Sequence, residues 1–225
     1  MSSREFVHDH DRIARIGFDE VVFAGGKSAD QVSAIVASFT SADSRLLITR
    51  LDRDKFQALP AAQRASLDYD PLSRTAIMGA PWPSRANTPV AVLAAGTSDL
   101  QVSHEAVRTL SYYGQATAEY TDIGVAGLWR VMERIEQIRR ASIVIVVAGM
   151  DAALVSVVGG LVSCAVIAVP TSVGYGVATG GTTALHSALA SCAPGVTVVN
   201  VDNGYGAACA ALRILNASQR SVRDS

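Results

Sequence analysis

A chain of 225 residues with 49% apolar and 17% charged side chains can bury a sizeable core, and its length suits one large domain or one domain with a smaller appendage. A formal net charge of −1, with no basic patch, argues against nucleic acid as a partner. Three cysteines without metal-ligand spacing fit a reduced, cytoplasmic protein, and the charged N-terminus (Arg4, Glu5, His8, Asp9, Asp11, Arg12) lacks the apolar stretch of a signal peptide.

Residues 1–87 read as a small α+β appendage. Asp9–Ile16 predicts a short helix and Glu20–Phe23 a short strand, with Gly25 and Gly26 as a turn. Ala29–Phe39 carries apolar residues at Val32, Ile35, Val36 and Phe39, the spacing of an amphipathic helix. Leu46–Thr49 reads as a strand, Arg53–Leu59 as a helix, and Leu67–Tyr69 and Thr75–Met78 as short strands. The run from Gly79 to Ser84, broken by two prolines, is a linker.

From Pro89 onward the pattern becomes regular. Strands are expected at Val90–Ala94, Ala116–Thr121, Ile143–Ala148, Ala165–Val169 and Val196–Val201. Helices are expected at Val102–Tyr112, Val125–Arg139, Leu154–Val162, Thr182–Ser191 and Gly206–Asn216. Five β–α units with short connections specify a parallel sheet with helices on both faces, a three-layer α/β/α domain over residues 88–225. The apolar run Ile143–Val169 is long enough to resemble a membrane span, but it contains Asp151 and several glycines and divides into two β-branched strands. Between Ala141 and Leu212 the only formal charges are Asp151 and Asp202. Helices that poor in charge point to a homo-oligomer in which they pack between subunits.

In such a sheet, ligands bind beyond the carboxyl ends of the strands. Those ends read Gly96-Thr-Ser-Asp99, Asp122-Ile-Gly124, Gly149-Met-Asp151, Pro170-Thr-Ser-Val-Gly-Tyr175 and Asp202-Asn-Gly-Tyr205. Ser98, Asp99 and Asp122 are expected as N-caps of the following helices. Asp151 and Asp202 stand alone in apolar stretches, where a buried charge needs a partner, a ligand or a metal. The eleven residues after Pro170 hold four glycines, two threonines, a serine and a tyrosine. Gly96, Thr97, Ser98 and Asp99, with Thr171, Ser172, Val173, Gly174 and Tyr175, offer free N–H groups and hydroxyls for phosphate. The dinucleotide fingerprint and the Walker lysine are both missing. Cys164 and Cys209 read as small buried hydrophobes, and Cys192 reads equally well as core filler at the end of a helix, a position that does not favour a thiolate. His104 and His186 fall away from strand ends and read as structural or surface residues.

Several segments in order resemble the nickel-pincer cofactor biosynthesis family LarB. They are Gly96-Thr-Ser-Asp, Asp122-Ile-Gly-Val-Ala-Gly127, Val147-Ala-Gly-Met-Asp151, Ser156-Val-Val-Gly-Gly-Leu161, Val169-Pro-Thr-Ser-Val-Gly-Tyr-Gly176, Ser191-Cys-Ala-Pro-Gly195 and Asn200-Val-Asp-Asn-Gly-Tyr-Gly206. The N-terminal Gly17-Phe-Asp-Glu-Val-Val-Phe, Gly26-Lys-Ser and Leu67-Asp-Tyr-Asp-Pro71 are similar to the same family. The resemblance implies a C-terminal domain like aminoimidazole ribonucleotide carboxylase/mutase, with a flavodoxin-like sheet and octameric assembly. It implies carboxylation of nicotinic acid adenine dinucleotide at ring carbon 5 by CO2 and hydrolysis of its phosphoanhydride. The products would be pyridinium-3,5-biscarboxylic acid mononucleotide and AMP. By motif, the family's nucleophilic cysteine falls at Cys192 and its acidic residue at Asp151. Gly149, Asp202 and Asn203 join the phosphate loops as expected substrate contacts.

No tightly bound cofactor is expected, CO2 or bicarbonate is a substrate, and Mg2+ is compatible with the phosphates. Two other readings stand beside this one. The purine-pathway mutase itself would place a catalytic histidine after the second strand, where this sequence has Asp122-Ile-Gly. A non-catalytic nucleotide-binding module would need the glycine loop without a reactive thiol.

Overall fold

The structure, a computed structural model, describes residues 6–7, 9, 11–39, 44–85 and 89–223, with side chains to 218. The chain divides into two compact units, Met1–Trp82 and Pro83–Ser225. The boundary expected at 87/88 lies outside the described residues.

In the first unit, α1 covers Arg12–Ile16, and part of the expected Asp9–Ile16 helix lies outside the described residues. Strand β1 (Val22–Phe23) leads into α2 (Ala29–Ser38), followed by β2 (Leu46–Thr49), α3 (Arg53–Gln57), α4 (Ala61–Ser66), β3 (Leu67–Asp70) and β4 (Thr75–Met78). Helix α2 starts where Ser28 and Gln31 cap each other. The Ser28 hydroxyl accepts the Gln31 N–H at 3.1 Å, and the Gln31 side chain accepts the Ser28 N–H at 3.0 Å. Its buried Val32, Ile35 and Val36 meet Leu46, Ile48 and Ala76 of the sheet, as the spacing requires. The sheet order is β1-β2-β4-β3, with β1 parallel to β2 and the other pairs antiparallel. Helix α4, absent from the sequence reading, follows Pro60, whose fixed φ suits a helix entry.

The second unit comprises β5 (Val90–Ala94), α5 (Leu100–Tyr112), β6 (Thr117–Tyr120), α6 (Leu128–Met132), α7 (Ile135–Ile138), β7 (Ile143–Ala148), α8 (Ala153–Gly159), β8 (Ala165–Pro170), α9 (Thr182–Leu189), β9 (Thr197–Val198) and α10 (Gly204–Arg223). All five strands are parallel, in the order β6-β5-β7-β8-β9. This is the flavodoxin-like order, in which the chain changes direction across the sheet between β5 and β7. Ala91, Leu93, Val144, Val146, Val166 and Ala168 face a core shared with residues of α6 to α9. Successive strand residues point to opposite faces, and α5 and α10 pack together over the other one. The central strands β5, β7 and β8 are buried on both faces, which is why they read as unbroken apolar runs.

Two expected elements are corrected. The helix expected over Val125–Arg139 is a 3₁₀ turn at Val125–Gly127 followed by the separate helices α6 and α7. The break falls at Glu133 and Arg134, where the Arg134 N–H bonds back only three residues, to Val131, at 3.1 Å. The strand expected over Val196–Val201 pairs regularly only at Thr197 and Val198. Beyond it the Asn200 side chain accepts the Val201 N–H at 2.9 Å, a local bond that competes with the ladder. Among the described residues no helix is long and apolar enough to cross a membrane.

The α5–α10 contact depends on Gly204. A methyl group there would collide with the Val102 carbonyl oxygen and stand 3.0 Å from the Ala106 nitrogen. Backbone atoms cannot turn aside as side chains do, so Gly204→Ala is expected to cost about 1–3 kcal/mol, read as a lower urea midpoint with an unchanged slope.

Candidate functional site

In an open parallel sheet ligands bind beyond the carboxyl ends of the strands where the strand order reverses, here at the loops after β5 and β7. Those loops are Gly96–Asp99 and Gly149–Asp151. Asp99 joins them. It is 4% exposed, and its carboxylate accepts the Gly96 N–H at 2.9 Å and the Thr171 hydroxyl at 2.6 Å. It also accepts a backbone hydrogen bond from Gly149. One side chain thus binds the ends of β5, β7 and β8. Gly149 permits this approach, because a Cβ there would fall 2.6 Å from the Thr171 hydroxyl. Burial pushes the Asp99 carboxyl above its ordinary range. Its three donors pull it back down, and the nearby Asp202 carboxylate raises it.

The remaining loops attach around this centre. The Met150 N–H donates to the Val173 carbonyl at 2.8 Å, and Asp202 accepts the Ser172 N–H at 2.7 Å. The Asp202 N–H in turn donates to the Pro170 carbonyl at 2.8 Å. Asn203 accepts the Gly206 N–H at 2.8 Å and caps α10. Asp122, Met150, Ala152 and Asp202 all have φ between 49° and 57°, the left-handed region. Left-handed non-glycine backbone gathered at strand ends is stored strain of the kind found where ligands bind. Thr97, Ser98, Ser172 and Tyr175 are exposed on these loops, with Gly96, Val173 and Gly174 partly exposed beside them.

Several sequence expectations change here. Ser98, Asp99 and Asp122 do not cap the following helices. Asp99 is the buried acid, no hydrogen bond holds the Ser98 hydroxyl among the described residues, and Asp122 pairs with Arg130 at 2.8 Å. Asp151 is exposed and accepts the Ala153 N–H at 3.2 Å, so it is not a lone buried charge. Asp202 is half-buried and bonded as above. His186 is exposed, and His104 lies 3.7 Å from Glu119. Among the described residues no three His, Cys, Asp or Glu side chains cluster as a metal site.

Cys192 is exposed, which removes its reading as core filler. Cys164 and Cys209 are both partly buried. The turn that presents Cys192 is held on both sides. The Ser191 hydroxyl accepts the Ala193 N–H at 3.2 Å and lies 2.8 Å from the Ser156 hydroxyl of α8. The Ala193 methyl fills the space where a Gly159 Cβ would be. Asp151 therefore caps the start of α8, while the Cys192 turn is fastened toward its far end. Seven residues of helix span about 10 Å. The structure gathers Gly96, Thr97, Ser98, Asp99, Gly149, Thr171, Ser172, Val173, Gly174, Tyr175, Asp202 and Asn203 at one edge of the sheet. It does not bring Cys192 to them within one chain. Two cavities at the carboxyl end of β6, sharing Thr121, Ile123 and Arg134, were missed from sequence. The tryptophan and arginines of a broken helix were their one visible signal.

Residues 5–80 match the model of the LarB/PurE-like N-terminal domain, and residues 89–225 match that of AIR carboxylase. The chain belongs to the AIR carboxylase family. Its N-terminal domain gives it the LarB arrangement, and membership supports a carboxylase-type function. An uncharacterized protein of Methanocaldococcus jannaschii is 33% identical over 206 residues, which cover 88% of this chain and 79% of that one.

The bond from Thr171 to Asp99 yields a pH-dependent test. Thr171→Val removes a hydrogen bond to a buried carboxylate and is expected to cost about 1.5–3 kcal/mol near neutral pH. The raised Asp99 carboxyl picks up its proton earlier on acidification than it does in the unfolded chain. Once it is protonated, the lost bond is a neutral one, worth about 0.5–1.5 kcal/mol. The wild-type-minus-variant difference in unfolding free energy should therefore shrink as pH falls toward 4, and urea titrations at several pH values read it directly.

Proposed function

We propose that the chain carboxylates the pyridinium ring of nicotinic acid adenine dinucleotide at carbon 5 and hydrolyses the phosphoanhydride, releasing pyridinium-3,5-biscarboxylic acid mononucleotide and AMP. The observation that carries this reading is an exposed cysteine on a fastened turn, Cys192, in a chain with LarB domain order. The purine mutase is the weaker choice, because Asp122, Ile123 and Gly124 stand where that enzyme would need a histidine.

A pyridinium is an electrophile and does not attack CO2. The Cys192 thiolate adds to ring carbon 4, and the ring electrons make the product an enamine, nucleophilic at carbon 5. Carbon 5 attacks CO2, forming the new carbon–carbon bond and a carboxylate. A base removes the proton from carbon 5, and expulsion of the thiolate restores the aromatic cation. Asp151 is the proposed base, and the substrate's positive charge favours a thiolate beside it. The phosphates lie against Gly96–Asp99 and the Pro170–Gly176 loop, where Ser98 and Ser172 offer hydroxyls; the Gly96, Asp99, Thr171 and Ser172 N–H groups, expected to be free, already donate within the protein. No tightly bound cofactor enters the scheme, and Mg2+ would serve only the phosphates. A reduced, cytoplasmic setting keeps the thiol available.

The nucleophile and the base must reach adjacent ring carbons, yet in one chain they serve opposite ends of α8. A complete site is therefore shared between two copies, one giving Cys192 and the other Asp151 with the strand-end loops. Exposed Met150, Tyr175 and Val177 near one end and Leu189 near the other supply apolar surface for that association.

Cys192→Ser is expected to fold and bind the dinucleotide but to form no carboxylated product, while Cys164→Ser and Cys209→Ser retain turnover. Mass spectrometry of the reaction with bicarbonate reads both results, and retained turnover in folded Cys192→Ser would end the covalent scheme. Co-assembly of Cys192→Ser with Asp151→Asn subunits should restore activity, to about a quarter of wild type if pairs form at random. A sedimenting monomer, or inactive mixtures, would refute the shared site.

A further inference from the structure

The two cavities at the carboxyl end of edge strand β6 have volumes of about 270 and 310 Å3. The larger falls at the low end of the usual range for small-molecule sites, roughly 300–1,000 Å3. Arg134 lines both, and among the described residues it has no ion pair. Trp129 lines the larger and is 61% exposed. Its ring is backed by the Arg130 guanidinium, 5.7 Å from the ring centroid. Arg130 is itself committed, to the Asp122 carboxylate at 2.8 Å and the Asp122 carbonyl at 3.2 Å. A cation over an indole covers one face at most, so the exposure belongs to the rest of the ring. Trp129 is thus a plate fixed from behind, and Arg134 is an unspent cation in the same cavity.

Carboxylates complete the lining, Glu133 in the larger cavity and Glu119 in the smaller. An inorganic anion gains nothing from them, and an apolar helix would cut them off from water. A nucleotide uses all three kinds of group. Its base stacks on an aromatic plate, its phosphate pairs with a guanidinium, and its ribose hydroxyls or exocyclic amine donate to carboxylates. The place also suits it, because β6 is the immediate neighbour of β5, whose carboxyl end carries Gly96–Asp99. Adjacent strands lie about 4.8 Å apart, within the span of a dinucleotide.

We propose that this double cavity holds the adenylate half of the substrate, with the purine on Trp129 and its phosphate toward Arg134. The choice of an adenylate rests on the dinucleotide reading above.

The test uses AMP alone with the full chain. The sequence has two tryptophans, Trp82 and Trp129, so Trp82→Phe leaves Trp129 as the reporter. AMP is expected to quench its emission saturably, and nicotinic acid mononucleotide is expected not to compete. Calorimetry should show Trp129→Leu and Arg134→Gln each weakening AMP by about tenfold or more, with Trp129→Phe near wild type. Absent quenching, or unchanged AMP affinity in both variants, overturns the inference. Loss of assembly in Trp129→Leu with AMP affinity intact also overturns it, assigning the ring to a subunit contact. Carboxylation of the dinucleotide by wild type is measured in parallel. Normal carboxylation without AMP binding at Trp129 sinks only this inference, whereas AMP binding as described without carboxylation sinks the dinucleotide reading and leaves the nucleotide cavity standing.

Discussion

A carboxylate buried at the meeting point of three strand ends is the constraint on which the C-terminal unit turns. Asp99 gathers donors from Gly96, Gly149 and Thr171, residues that are far apart in sequence. An unpartnered charge in that position would be prohibitive, so the three loops must approach together or not at all. Gly149 lacks a side chain because Thr171 and Val173 occupy its space, and Thr171 is fully buried because it faces the acid. The strand-end loops are stiffened from beneath by this one residue. That arrangement suits a site that must hold a polyanion in one orientation.

Much of the fold was legible because parallel strands covered on both sides are continuous apolar runs. Val90–Ala94 and Ile143–Ala148 have the bounds their composition announces. Edge elements were not so legible. β9 is short because Asn200 bonds its own neighbourhood, and α6 and α7 separate at a tightened turn that no glycine or proline marks. Buried charge was misassigned for a related reason. Asp151 and Asp202 stand in apolar sequence, but loop geometry turns one to solvent and gives the other a backbone donor. Asp99 follows a threonine and a serine and looks like a cap, yet it is the buried one. Sequence context reports burial along a strand, where side chains alternate, and fails at strand ends, where a left-handed residue redirects the chain.

The exposure of Cys192 was hidden too, since small residues surround it on both sides. Two features present it. Gly159 leaves room for Ala193, and the Ser156–Ser191 hydroxyl pair anchors the turn to α8. Asp151 stands just before the same short helix and accepts its first N–H, so α8 keeps the two proposed reacting groups a fixed distance apart within each copy. Rigid spacing of that kind makes the approach of a second copy, not loop motion, the event that would complete the chemistry.

The scarcity of charge between Ala141 and Leu212 also governs how such an approach would respond to its surroundings. With Asp151 and Asp202 as the only formal charges there, and Tyr175, Val177 and Leu189 turned outward, attraction through this surface comes from water released by apolar groups. Ionic strength acts on charge pairs and has little hold on it. Temperature does, because the hydrophobic drive weakens on cooling. Contacts made through this surface would loosen in the cold and tighten with moderate warming, the reverse of an assembly held by ion pairs.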